Sequence, residues 1–396
     1  MAKIPLTPFH DWLVRLRRHF HQFPELAYRE EKTAAKIAEV VQELGVPFRD
    51  KVGKTGVIAV LMAQKPGPTL AVRADMDALP LEERNDVPYR SKHPGVMHAC
   101  GHDAHVAIML GVMRLLLEND WPMKGAGKVL FVFQPAEEGG AGARAMLETG
   151  ALDSEQIEAI FAGHMHPELA VGHVGFAPDV SNAASDNINI RLTGRGGHGA
   201  HPQLCVDPIV AGAYLITQLQ SIISRSISPI DSAVLTIGSL HAGTARNIIP
   251  QEAILEGTLR TLNPEVRERV LSRLKEILKG VEVAHQITAE LQTSVGYPLL
   301  VNHPNLVEFF EAEAQQVLGD NCIHRGAPRM GSEDFAFFLQ RFPGILLRLG
   351  CRNPENQLAP GLHSPYFDLD ERVLDVGVRL FAHLLTTSRE AYGQEL

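Results

Sequence analysis

Residues 128–134, Lys-Val-Leu-Phe-Val-Phe-Gln, form an apolar run without the polar alternation of a half-exposed strand. A strand of this kind is buried on both faces, so other elements must cover its sheet above and below. Residues 56–63 and 69–73 read the same way, while residues 30–45 space Ala34, Ile37, Ala38, Val41 and Leu44 along one face of a helix. Strands alternating with amphipathic helices predict an α/β chain whose mixed, largely buried sheet is flanked by helices. The runs end abruptly in polar groups. Gln134 leads through Pro135-Ala136 to Glu137-Glu138-Gly139-Gly140, and Arg73 leads into Ala74-Asp75-Met76-Asp77-Ala78-Leu79-Pro80. Polar groups at the carboxyl ends of strands lie where open α/β sheets build their sites.

The middle of the chain follows a different order. Strands are predicted at 186–193, 233–240, 253–261 and 287–293, with helices at 208–223 and 264–281. This is the βαββαβ order of a ferredoxin-like module. Its edges near Asn182 and Gly296 make it an insertion: residues 183–296 form one domain, and residues 1–182 and 297–396 form the other, which resumes with helices at 305–318 and 369–387. Gly194-Arg195-Gly196-Gly197 reads as a turn, and the chain shows no internal repeat.

Composition narrows the partners. A formal charge of -9 leaves no basic field for nucleic acid, and the one basic cluster is the short face of Arg15, Arg17 and Arg18. The four cysteines, Cys100, Cys205, Cys322 and Cys351, are too scattered for a disulfide framework and fit a reducing compartment. Residues 1–8 hold no apolar leader core and no apolar run reaches membrane-spanning length, so a cytoplasmic protein without a membrane partner is expected.

The chemistry gathers around His98, Cys100, His102 and His105, four residues at a loop-to-helix transition. Cys-Gly-His can present a thiolate and an imidazole to one borderline-soft ion. A cysteine beside a histidine is also the arrangement of an activated thiol nucleophile, and a small buried cysteine is ordinary core material. At this level all three roles for Cys100 stay open. Glu137 and Glu138 point in different directions, which lets one bind metal while the other faces an attacking water; surface decoration is the bland alternative. His164 follows the strand-like residues 157–161, and His363 sits in the loop Gly361-Leu362-His363-Ser364-Pro365. Asp75, Asp77 and Asp103 either orient histidine ligands or serve as turn and helix caps. Together the set points to metal-assisted hydrolysis.

Residues 18–26, 73–80, 98–105, 134–140, His164, 194–202, 247–250, Met330-Gly331-Ser332-Glu333-Asp334-Phe335 and 363–365 carry a resemblance that spans nearly the whole chain. The sequence resembles the M20 metallopeptidases, in the amidohydrolase branch that contains hippurate hydrolases, N-acetyl-diaminopimelate deacetylases and auxin-conjugate hydrolases. The resemblance implies that Cys100, His102, Glu138, His164 and His363 hold two divalent ions per subunit, of Zn, Mn, Ni or Co. It implies that Glu137 is the general base toward water and then the acid toward the leaving amine. The inserted module would be a lid and dimerisation domain that brings His198 to the developing oxyanion, in its own subunit or across a homodimer or higher assembly. Asn247 and Arg260 would contact the substrate. The expected reaction splits an N-acyl amino acid, a small-molecule partner, into a carboxylic acid and a free amino acid. A dipeptidase or small-substrate carboxypeptidase is the nearest enzymatic alternative. A catalytically silent metal-containing binding protein is the alternative of another class, and the adjacent base argues against it, since a structural site has no need of one. His166 stands where relatives usually carry an aromatic residue, which leaves the acyl preference open.

Overall fold

The computed structural model describes residues 5–355 and 360–392, with side chains described as far as residue 387. The chain forms two compact units: Met1–Ser181 with Val301–Ala327 and Asp334–Leu396, and Asn182–Leu300 with Pro328–Glu333. The short return segment at 328–333 was not separable in the sequence, because it has no periodicity of its own. No helix among the described residues is long and apolar enough to cross a membrane.

The first unit is built on an eight-stranded mixed sheet whose interior strands Gly56–Met62, Ala126–Gln134, Lys65–Asp75, Ile157–Ala170 and Gly344–Arg352 lie side by side in that order. The last four run parallel, while Gly56–Met62 is antiparallel to Ala126–Gln134. Val129, Leu130, Phe131 and Phe133 are fully buried, as the missing alternation requires. The sheet packs into one core with the helices His10–Gln22, Glu31–Glu43, His102–Glu118, Pro304–Leu318 and Arg372–Tyr392.

Two local differences from the sequence reading matter for the site. The strand expected to stop at residue 161 continues to Ala170, so His164 lies within it. Its pairing with Lys65–Asp75 ends at Arg73 and Ala162, while pairing with Gly344–Arg352 carries it onward. Residues beyond 162 therefore run past the end of their pairing with the 65–75 strand. Arg17 also departs from its expected exposed face: it is fully buried, and its guanidinium bonds Asp103, Asp368 and Glu371.

In the second unit the strands Ala184–Thr193, Ala233–Ala242, Glu252–Thr261 and Thr288–Val295 form an antiparallel sheet. Read from the 288–295 edge, their order is fourth, first, third, second, the ferredoxin-like arrangement. The helices Pro208–Ser221 and Pro264–His285 each begin with proline. Asp207 and Asn263 precede them and accept the exposed backbone N–H groups of the first turn. Ile188, Ile190, Leu192, Leu215, Leu219, Leu255, Val270 and Leu274 fill this unit's separate core.

Candidate metal centre

Gly101 sets the geometry of Cys100 and His102. Its φ of +86° lies in the left-handed region, and a Cβ there would stand 2.6 Å from Met165 Cγ, so a larger residue meets both strain and a clash. The glycine lets the chain turn from Cys100 directly into the helix that starts at His102. Cys100 Sγ then lies 3.4 Å from His164 Nε2, on the strand Ile157–Ala170. The backbone N–H of His363 donates to Ala99 O at 2.8 Å, drawing the distant C-terminal loop onto the same place. His363 Nε2 stands 3.0 Å from Glu138 Oε1.

The five expected ligands form two overlapping sets. Donor atoms of Cys100, His102 and His164 lie within 4.8 Å of one another, as do those of Cys100, Glu138 and His363. Cys100 is common to both sets. The histidine tautomers agree with this use. His102 Nδ1 donates to the carbonyl of Asp77 at 2.9 Å, which leaves the Nε2 lone pair buried and without a hydrogen bond. His164 Nδ1 is likewise engaged with Met165 O at 2.9 Å, and its Nε2 faces Cys100 Sγ. Partners of this kind fix the ring and raise the ligand's basicity.

His105 meets the distance criterion beside Asp75 and His102 but fails the chemical one. Its Nδ1 bonds Asp75 Oδ1 at 2.5 Å and its Nε2 accepts the Met165 N–H at 2.9 Å, so neither nitrogen keeps a lone pair for an ion. His98 is buried with both ring nitrogens unpartnered, and burial pushes its pKa down to about 3.

Protein charges alone make the centre a cradle for cations. Burial works against a charge on His102, yet Asp75, Asp77 and Glu138 outweigh it and raise its pKa to about 10. Burial, then Glu138 and Glu137, push the Cys100 thiol well above its usual range. Bound cations would displace these protons, and a soft thiolate with imidazole and carboxylate suits borderline divalent ions. The unpartnered His102 Nε2 and this mixed donor set fit such ions. The same electrostatics disfavour a thiol nucleophile, which needs a depressed pKa.

The two glutamates ride on a strained loop held by buried carboxylates. Ala136 and Ala141 both have φ of +53°, unusual for residues with a side chain. Asp77 accepts the N–H of Glu137 and of Glu138, each at 3.0 Å, and Glu30 accepts that of Ala136 at 2.9 Å. Asp334 accepts the N–H of Ala143 at 3.0 Å, and its own N–H reaches Glu137 Oε1 at 3.4 Å. Asp77 thus presents both glutamates and stands beside His102. Asp75 orients His105, which is not one of the expected ligands. Asp103 bonds Arg17 Nε at 2.9 Å and His21 Nδ1 at 2.7 Å rather than His102 or His164. It anchors the first helix to the 102–118 helix.

The second unit carries the remaining expected residues. His198 pairs with Ile248 in a short antiparallel bridge, and the neighbouring Gly199 N–H donates to Asn247 O at 2.8 Å. His198 Nδ1 accepts the Ala200 N–H at 3.1 Å, so a neutral ring carries its proton on Nε2. Arg260, on the Glu252–Thr261 strand, is half-buried and donates to the Ser332 hydroxyl. Burial lowers its pKa. Sequence reasoning missed Arg73, Glu30 and the partners of Gln134 and Asp334. The available signal was a charged arginine inside an otherwise apolar strand, since a buried charge requires partners.

Residues 71–387 match peptidase family M20/M25/M40. The N-acetyldiaminopimelate deacetylase of Brevibacillus brevis is 39% identical over 373 residues, covering 94% of this chain and 97% of the relative. The N-acetyl-L-cysteine deacetylase of Bacillus subtilis is 38% identical over 371 residues, covering 94% and 86%. Among solved structures, the Bacillus subtilis YXEP protein, described as a dinuclear metal-binding peptidase of the M20 family, superimposes with a TM-score of 0.83. It is 34% identical, with 96% of this chain and 99% of that one covered.

Proposed function

We propose, from the premise that the chain belongs to peptidase family M20/M25/M40, that this metal-dependent amidohydrolase cleaves the amide bond of N-acyl amino acids to a carboxylic acid and a free amino acid. The observation that carries the reading is the pair of donor sets sharing Cys100, with Glu137 beside them on the loop that Asp77 presents. Cys100, His102, His164, Glu138 and His363 would hold two ions, of Zn, Mn, Ni or Co. Bound there, the ions supply Lewis-acid polarisation of the amide carbonyl and acidify water.

The rest is the work of the chain's own groups. Glu137 is buried and adjacent to Glu138 on the loop, and it takes the proton of the attacking water and returns it to the departing amine. His198 offers its Nε2–H to the oxyanion, a role its Nδ1 hydrogen bond supports. Arg260 receives the substrate carboxylate: a partly desolvated guanidinium opposite a neutral hydroxyl is stabilised by an arriving anion. Asn247, next to the His198 turn, contacts the substrate amide. We assign the second unit the role of lid and homodimer interface, with His198 acting in its own subunit or across it. The four free cysteines support a cytoplasmic location.

Metal-loaded protein assayed on N-acetyl, N-benzoyl and indoleacetyl amino acids beside free dipeptides tests this reading. Turnover of at least one acyl series above the dipeptides is expected. Turnover of dipeptides alone would make the protein a dipeptidase, and turnover of neither would remove the assignment.

A further inference from the structure

Arg73 is a charged side chain in the middle of the sheet, 1% exposed on the strand Lys65–Asp75. Its guanidinium bonds Gln134, Asp75 and Asp334 in different directions. Nε donates to Gln134 Oε1 at 2.7 Å, Nη1 to Asp75 Oδ2 at 2.6 Å, and Nη2 to Asp334 Oδ1 at 2.9 Å. Each acceptor leads to a different part of the centre. Asp75 holds His105, and His105 holds the Met165 N–H, next to the proposed ligand His164 and beyond the point where pairing with the 65–75 strand ends. Asp334 takes Gln134 Nε2 at 2.8 Å and the Ala143 N–H at 3.0 Å, while its own N–H touches Glu137 Oε1 at 3.4 Å. Gln134 is the last residue of the strand that delivers the Glu137 loop.

We propose that Arg73, with Asp334, is a positioning residue that sets the general base Glu137 in register with the metal ligand His164. The inference rests on the assignment of Glu137 as the base. The planar fork is what the arrangement needs: three acceptors in fixed directions are matched by three N–H groups of one rigid plane, and an ammonium reaches one or two of them. Lysine keeps the charge that balances Asp75 and Asp334 and gives up the direction. A misplacement of about 1 Å in a reacting group costs on the order of 10²-fold in rate.

Arg73→Lys and Asp334→Asn, measured as metal-saturated, folded protein, test the proposal. Expected are a kcat lowered about 10²-fold for Arg73→Lys and about tenfold for Asp334→Asn, with KM within about twofold of the parent and unchanged metal content. Arg267→Lys, which breaks a bidentate pair with Asp186 in the second unit, is the comparison for structural damage and should lower thermal stability while leaving kcat intact. If Arg73→Lys does not fold, Asp334→Asn decides alone. Parental kcat in the folded variants, with a loss confined to stability as in Arg267→Lys, overturns the proposal. Glu137→Gln assayed alongside separates the two levels: an inactive Glu137→Gln with active Arg73→Lys and Asp334→Asn refutes only the positioning role, and an active Glu137→Gln refutes the base assignment beneath it.

Discussion

Replacing Asp77 by asparagine should loosen the metal centre without touching any ligand. The Asp77 carboxylate accepts two backbone N–H groups at 3.0 Å, one from each glutamate, and stands 3.3 Å from His102 Nδ1. Asparagine keeps one acceptor oxygen and turns an NH2 group toward the other N–H. One charge-assisted hydrogen bond, worth about 1.5 to 3 kcal/mol, is lost, and the other falls to the neutral range of about 1 kcal/mol. The loop loses about 2 to 5 kcal/mol of anchoring. Part of that loss is relieved by loop relaxation in the metal-free protein, so a drop of about 10- to 100-fold in metal affinity is expected, the usual size for a group that orients ligands. Competition against a chromophoric chelator reads the affinity directly. Activity at saturating metal reports whether Glu137 has shifted as well, and a fall in kcat is expected there. Asp77→Asn with parental metal affinity and parental kcat would refute the claim that this carboxylate presents both glutamates.

Glu137→Gln should keep its bound metal and lose about 10²- to 10⁴-fold in kcat, whereas Glu138→Ala should lose metal occupancy itself; elemental analysis with steady-state kinetics separates them, and two metal-replete, active variants would reverse the assignment. Cys100 should resist alkylation while metal is bound and react after chelation, since the attacking lone pair is engaged with the ion. Trapping an acyl-thioester on Cys100 would instead make it the nucleophile. His198→Ala should lower kcat by about 10²- to 10³-fold with metal content unchanged. Recovery of activity on mixing His198→Ala with Glu137→Gln subunits would place the histidine across the interface; a parental kcat in His198→Ala would reduce it to a turn residue.

Local chemistry made much of the site legible before the fold. The apolar strand ends at Gln134 as its pattern implies, because burial on both faces disfavours polar residues without partners before the strand's carboxyl end. The Cys100-Gly101-His102 turn was readable for a similar reason, since few residues other than glycine tolerate its backbone. Long-range partners left weaker marks. The strand Gly344–Arg352 is a short apolar run near helices, which periodicity alone does not distinguish from a helix segment. Asp103 lies next to His102 in sequence, yet the helix turns its side chain to Arg17 and His21, 86 and 82 residues away. Arg15, Arg17 and Arg18 look alike as a basic face; only the tertiary packing of acidic groups around Arg17 sets it apart. The strand carrying His164 outruns its expected end because pairing with Gly344–Arg352 supports it after the other neighbour stops.

The central claim is that Cys100, His102, Glu138, His164 and His363 bind the ions on which hydrolysis depends. Stripping the protein with a chelator, counting metal per chain by elemental analysis, and adding back Zn, Mn, Co or Ni while following hydrolysis of an N-acyl amino acid tests it most directly. The expected result is that activity disappears with the metal and returns as occupancy approaches about two ions per chain, to extents that differ among metals because a mixed sulfur, nitrogen and oxygen site is not strictly selective. Full activity in protein verified to be metal-free would contradict the account.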